Sequence, residues 1–296
     1  MIIGASSRIQ YPRWLRRLLR SYAVLPAFAY LLLVVIVTVL APQLAPHAPD
    51  QGDIASRLLP PAWAEGGSAA HWLGTDALGR DILSRLIFGA RVSMIVGVAG
   101  TLLGAAIGIA VGLIAGYRGG WLDDLLMRVA DVQLAFPFIL LAIALLVVLG
   151  AGIGNLVIVL GLSAWVTFAR VTRGQVLALR ELEYVEALHA LGAGDARILL
   201  RTILPNVASA LIVVASFAFA EMVLAEAALS FLGLGVPPST PSWGGMVAEG
   251  RDYIVFAWWV ITFPGLAIAA TVLSVNIVGD WVRDALDTRL TSEGAA

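Results

Sequence analysis

Two acidic residues lie deep within an apolar stretch of the sequence. Glu221 and Glu226 fall within the apolar segment 207–234, about 21 and 28 Å from its start at the α-helical rise of 1.5 Å per residue. If the segment spans a membrane, a carboxylate at that depth is costly unless it faces other helices or water. Each side chain is therefore a candidate either for lining a solute pathway that accepts an ammonium group or for a hydrogen bond between helices.

Other reactive groups are few. The chain has no cysteine, and this excludes disulfides and thiolate chemistry. All 19 basic residues are arginine, so a complete phosphate-binding loop of the GxxxxGK[ST] type is excluded, and any ATP must bind to another protein. His47, His71 and His189 are scattered along the chain, and we predict no metal site, although His47 and His71 share the external loop and leave a nickel contact open. The apolar segments contain no GxSxG or HExxH motif, so we expect neither catalysis nor a cofactor bound by this chain.

Composition indicates a protein that uses lipid as its solvent. Of 296 residues, 60% are hydrophobic and 13% charged, and the mean hydropathy is +0.91. The net charge of −1 gives no basic surface for nucleic acid. We therefore predict an all-α membrane protein that crosses the bilayer several times.

Six apolar runs are long enough to be transmembrane helices. They cover residues 24–41, 92–117, 132–149, 153–171, 207–234 and 254–279. Arginines concentrate before the first run and in alternate connections, which predicts cytoplasmic N- and C-termini. The predicted organisation is a cytoplasmic segment 1–23, a first helix with its external loop 24–91, a five-helix core 92–281 and a cytoplasmic tail 282–296.

The external loop ends in the sequence GTDALGRDILSRLIFGARVS. Asp76 and Arg80 are four residues apart, as are Asp81 and Arg85, while apolar residues recur on the opposite side. The pattern predicts a short amphipathic helix at the membrane surface.

A second long connection, 173–206, is predicted to be cytoplasmic. Its first part carries an apolar row with several glutamates on the other side. The row consists of Leu182, Val185, Leu188 and Leu191. Gly192 then breaks the first helix, Asp195 caps a second one, and Pro205 ends it. We expect a compact helix-turn-helix.

The second span carries five glycines at four-residue spacing: Gly100, Gly104, Gly108, Gly112 and Gly116. Small residues at this spacing leave a groove in which another backbone can approach closely. The groove is either a fixed helix contact or a surface that slides during gating.

Five blocks of the sequence together indicate a family. They are YVEALHALGAGDARILLRTILPN, LGTDALGRDILSRLIFGARVS, GYRGGWLDDLLMRVADVQLAFP, EAALSFLGLGVPPSTPSWGGM and NIVGDWVRDALDTR. These blocks resemble the C-type permease subunits of bacterial ABC importers for dipeptides, oligopeptides and nickel, and the first is similar to the cytoplasmic EAA loop of that family. The likeness extends from about residue 73 to residue 289.

The resemblance implies a six-helix type I importer permease in the bacterial inner membrane, forming half of a pathway for short peptides. Coupling to the ATPase would use Glu186, Ala187, Leu188, Gly192 and Pro205, with Leu188 standing where the family has a second alanine. Asp76, Arg80, Asp81 and Arg85 would dock the binding protein.

The same resemblance implies several partners. They are a homologous second permease, two ATPase subunits or one fused ATPase that bind ATP and Mg²⁺, an external solute-binding protein, and membrane lipid. Two alternatives are compatible with the sequence. One is a proton-coupled secondary transporter that uses Glu221 and Glu226, and the other is the same permease role with a nickel chelate or another small solute.

Overall fold

The computed structural model describes residues 22–286 of the chain. The predicted cytoplasmic N-terminal segment and most of the predicted tail lie outside the described residues. Within them the chain forms helices and turns, with two isolated β-bridges, and this confirms the all-α prediction. The helices are α1 (Val24–Val39), α2 (Ala41–Leu44), α3 (Ile82–Arg118), α4 (Gly120–Leu134), α5 (Phe138–Leu149), α6 (Ile153–Arg180), α7 (Glu183–Ala190), α8 (Asp195–Ile198), α9 (Leu204–Phe231), α10 (Trp243–Gly250) and α11 (Trp259–Leu286).

The predicted spans correspond to six units of this fold. Helices α3, α6, α9 and α11 are each long and apolar enough to cross a membrane. Helices α4 and α5 form a bent pair that can count as a fifth span, and α1 is a shorter apolar helix of 16 residues. The bundle has two ends, which we name the Asp81 end and the Arg118 end after the residues that flank and end α3.

The third predicted span, 132–149, is not one straight helix. α4 and α5 meet at an angle of 87°, because the chain leaves helical geometry before Pro137. Proline lacks an amide hydrogen and disfavours helical geometry in the residue before it, so a helix usually ends at that point. The break separates the amphipathic helix α4 from the entirely apolar helix α5.

The predicted amphipathic helix at the membrane surface is wrong. Residues 76–80 form a turn, in which the Asp76 carboxylate accepts hydrogen bonds from the amides of Leu78 and Arg80. Asp81 then caps a helix of 37 residues by accepting from the Ser84 amide at 2.8 Å. A side-chain cap satisfies an amide that has no partner inside the helix, and this determines where the helix begins.

Pro205 does not end a helix, which corrects a second prediction. A π-helical segment, Leu199–Ile203, leads directly into α9, and Pro205 occupies the first turn of that helix. The proline needs no hydrogen-bond donor there, and the wider π turn accommodates a ring that would clash with a regular preceding turn. Segment 195–231 is therefore one continuous helical unit.

The glycine groove of α3 packs against α6 of the same chain. A Cβ atom added at Gly108 would lie 2.3 Å from the carbonyl oxygen of Trp165, and one added at Gly112 would lie 2.5 Å from that of Ala169. Such distances leave no room for any side chain. The observed contact is thus a close backbone-to-backbone seam, as predicted for a small-residue stripe, and whether it slides during gating stays open.

We expect Gly108→Ala to destabilise the protein by about 1–3 kcal/mol, because the new methyl group must push two backbones apart. The measurement is thermal unfolding of the purified protein in detergent. Gly174→Ala, also within a helix but with nothing within 4 Å of the added atom, is the matched control and should be neutral or slightly stabilising. Equal melting temperatures of the two variants would contradict this account of the seam.

Candidate functional site: a membrane cavity and a loop at the Arg118 end

Glu221 lies on the face of α9 that borders a cavity of about 500 Å³. Residues from α5 and α6 complete the wall, among them Phe138, Ser163 and Thr167. The Glu221 side chain is exposed in this single chain, although the helix around it is apolar. The cavity therefore presents one carboxylate and two hydroxyl groups on a largely apolar surface at membrane depth.

Glu226 has a different environment. It is completely buried and accepts hydrogen bonds from Ser93 of α3 at 3.1 Å and from Ser230 of its own helix at 2.7 Å. Both carboxylate oxygens are used in this way, one by each serine. Glu226 thus joins α9 to α3 and does not reach the cavity, while Glu221 does.

The segment 173–206 places a short exposed helix at the Arg118 end. Glu186 and Ala187 of α7 are exposed, whereas Val185 is fully buried against Ile198 and Ile203. Only part of the predicted apolar row is packed, because Leu182 and Leu191 are 43% and 85% exposed. The helix-turn-helix form is confirmed for α7 and α8, and α8 continues into α9.

Gly192 makes the turn between α7 and α8. Its φ of +78° lies in the left-handed region that glycine adopts without a Cβ penalty. The amides of Gly192 and Ala193 donate to the carbonyls of His189 and Leu188, which closes the end of α7. Asp195 does not cap α8, contrary to prediction, because Gly194 occupies the N-cap position.

Tyr117, which the sequence interpretation did not single out, holds this loop to α3. Its hydroxyl lies 3.1 Å from Nε2 of His189 and donates to Oδ1 of Asp195 at 3.1 Å. Arg180 adds a second link by donating to the Gly116 carbonyl at 2.8 Å. These contacts join residues far apart in sequence, so no local pattern could have revealed them.

At the Asp81 end, two arginines and two carboxylates form a neutral ionic cluster. Arg80 Nε donates to Asp76 at 2.7 Å, and Arg80 Nη2 donates to Glu249 at 2.7 Å. Arg85 donates to the same two carboxylates, with 2.8 Å between its Nη1 and Glu249 Oε2. Asp76, Arg80 and Arg85 are all buried.

This burial bears on the predicted docking residues. A binding protein could reach the surface that the ionic cluster supports, but not the buried side chains of Asp76, Arg80, Asp81 and Arg85 themselves. Their docking role stays a prediction. Glu249, which completes the cluster from α10, was not anticipated because it lies 164 residues beyond Arg85.

His47 and His71 come together beside Asp81, although we predicted no metal site. Possible ligand atoms of the three side chains all lie within 4.8 Å of one another. The histidines are 24 residues apart and are joined by an irregular loop, so their proximity depends on tertiary structure. His189 is at the opposite end of the bundle, next to Tyr117.

Comparison with known proteins gives the family. The family model described as binding-protein-dependent transport system inner membrane component matches residues 108–292. The model for the N-terminal TM domain of oligopeptide transport permease C matches residues 12–61.

Similar proteins span nearly the whole chain. The di/tripeptide transport system permease protein DppC of Pseudomonas aeruginosa is 43% identical over 284 residues, covering 95% of this chain and 94% of that protein. The glutathione transport system permease protein GsiD of Pectobacterium atrosepticum is 42% identical over 292 residues, covering 99% of this chain and 95% of that protein.

A solved structure is similar in fold. It belongs to the MetNI methionine ABC transporter in inward-facing conformations, with a TM-score of 0.55, 21% identity, and coverage of 68% of this chain and 95% of that one. At that identity the likeness concerns the permease fold alone. The family match over more than half of the chain, and relatives above 40% identity over almost all of it, establish that this chain belongs to the binding-protein-dependent inner-membrane permeases and is the permease subunit of an ABC importer.

Proposed function

We propose that this chain forms half of the translocation pathway of an importer for short peptides, and that a homologous permease supplies the other half. The observation that carries the proposal is Glu221, which is exposed on an apolar helix and faces the cavity between α9, α6 and α5. Lipid would not stabilise a bare carboxylate at this depth, so the face requires a protein or water beside it.

Short peptides fit this cavity chemically. A peptide carries an α-ammonium group that one carboxylate can accept, and the apolar walls place little restriction on its side chains. The relatives named for di/tripeptides and for glutathione support this substrate class. The alternative substrate is a nickel chelate or another small solute, and a transport assay distinguishes it from a peptide.

Coupling is proposed to use the exposed face of α7. Glu186 and Ala187 face solvent in the isolated chain, and a small side chain such as that of Ala187 lets another protein approach closely. The partner would be two ATPase subunits or one fused ATPase, which would bind ATP and Mg²⁺. Leu188, Gly192 and Pro205 support the α7 surface through packing, the left-handed turn and the start of α9.

The orientation proposed places the Arg118 end in the cytoplasm of a bacterial cell and the Asp81 end outside. Arginines that flank the spans at the Arg118 end, including Arg118, Arg173 and Arg201, support this direction. The loop around the ionic cluster would then meet the external solute-binding protein. Both chain termini would be cytoplasmic.

Single cysteines test this topology without background, because the natural chain has none. Ala69→Cys in the loop at the Asp81 end should react with an impermeant maleimide in intact cells. Ala196→Cys in α8 should react only after the membrane is permeabilised. Labelling of Ala196→Cys in intact cells would reverse the proposed orientation.

Ala187→Trp tests the coupling surface. We expect ATPase stimulation by the loaded binding protein to fall about fivefold or more in the reconstituted complex, because inserting bulk into a packed contact costs about 1–3 kcal/mol. Glu186→Gln should be milder, since an exposed ion pair contributes about 0–1 kcal/mol.

Ala196→Trp is the matched control for that experiment, because Ala196 is also an exposed alanine of the same segment. Its stimulation should stay near the natural level. If Ala187→Trp retains full stimulation and full co-purification with the ATPase, the coupling surface lies elsewhere on the chain.

Glu221→Gln tests the pathway. Uptake of a dipeptide into proteoliposomes should fall by up to about fivefold, since a partly solvated ion pair contributes about 1 kcal/mol or less. Glu221→Asp keeps the charge and should recover most of the rate. An uptake rate for Glu221→Gln equal to that of the natural protein would remove this residue from the pathway.

A further inference from the structure

Two imidazole groups and one carboxylate meet at the Asp81 end of the bundle. His71 Nδ1 lies 3.0 Å from Asp81 Oδ1, and His47 Nδ1 lies 3.8 Å from Asp81 Oδ2. The two rings are tilted against each other, with their centroids 4.8 Å apart. Each histidine thus directs a nitrogen at the same carboxylate.

The separations suit a small divalent cation. Zn²⁺ takes nitrogen and oxygen ligands at about 2.0–2.2 Å in tetrahedral geometry, which places ligand atoms about 3.3–3.6 Å apart. The observed 3.0 and 3.8 Å lie on either side of that range. All three possible ligand atoms lie within 4.8 Å of one another, so the rings must move closer for three bonds to form.

One nitrogen has no other role. His47 Nδ1 is shielded from solvent yet has no hydrogen-bond partner. A buried polar atom without a partner carries a desolvation cost of about 1–3 kcal/mol, which a bound cation would relieve. The rest of the His47 side chain is partly exposed, at 38%, so an ion has a way in from solvent.

Ser84 holds two of these residues in place. Its hydroxyl donates to Asp81 Oδ2 at 2.7 Å and accepts a hydrogen bond from the His47 backbone amide at 3.0 Å. Outer hydrogen bonds of this kind orient metal ligands and are a regular feature of metal sites. Asp81 itself is 1% exposed, so its carboxylate is fixed before any ion arrives.

We propose that His47, His71 and Asp81 bind one divalent cation of the zinc class, and that the ion fastens the loop 45–73 to the start of α3. The carboxylate supplies the negative charge that a cation needs beside a helix N-terminus, where the helix dipole alone would repel it. Three protein ligands leave a fourth position to solvent. Removal of the ion would loosen the loop beside the ionic cluster.

Zinc titration of the full-length chain in detergent, purified with a tag that lacks histidine, measures the site. We expect one Zn²⁺ per chain by calorimetry and a higher melting temperature with the ion. His47→Ala should weaken binding by at least about tenfold, the lower end of what even an outer-shell change costs. His189→Ala, which removes the only other histidine, should leave the zinc affinity unchanged.

A second experiment looks for a new absorption band. Because a band must appear, its result cannot be produced by a variant that fails to fold. His47→Cys with Co²⁺ should show a thiolate-to-cobalt charge-transfer band, because this chain then has a single thiol placed at the site. His189→Cys has the same number of thiols and should show no band. The proposal is overturned if the natural chain takes up no zinc, if His47→Ala and His189→Ala bind it equally, or if the His47→Cys band is absent.

Discussion

The close backbone contact between α3 and α6 is the constraint on which the rest of the structure depends. In lipid, helices gain no hydrophobic energy by associating, so they are held together by close packing and hydrogen bonds. Gly104, Gly108 and Gly112 remove the side chains that would separate the two backbones. Most other helices of residues 22–286 contact this pair, whereas α11 packs mainly against α9, α10 and α1.

That pair also connects the two ends of the bundle. α3 has 37 residues and extends about 55 Å, with Asp81 and Arg85 at one end and Tyr117 at the other. α6 ends at Arg180, immediately before the exposed helix α7. Because the two backbones are in direct contact, a displacement at α7 would be passed to both α6 and α3.

Some patterns that act within a few residues were readable from the sequence, whereas contacts between distant residues were not. The glycine stripe and the turn at Gly192 were predicted, because spacing and missing side chains determine them. The prediction of an amphipathic helix failed because the same charged residues make other contacts. Asp81 caps a longer helix, and Arg85 donates to Glu249. The Pro205 prediction failed because a π turn preceded the proline. The cluster of His47 and His71 required knowledge of how an irregular loop folds back.

The spacing of the two acidic residues of α9 already indicates that they cannot both line one pathway. Glu221 and Glu226 are five residues apart, so at about 100° per residue they point in directions about 140° apart. One must therefore face away from whatever the other faces. Glu226 has both oxygens satisfied by serines within this chain. Glu221 faces a cavity that this chain leaves open. A carboxylate that is hydrogen-bonded within the chain stabilises the bundle, whereas an exposed carboxylate at membrane depth needs another molecule beside it. This difference identifies the face of the permease that a partner and a solute must approach.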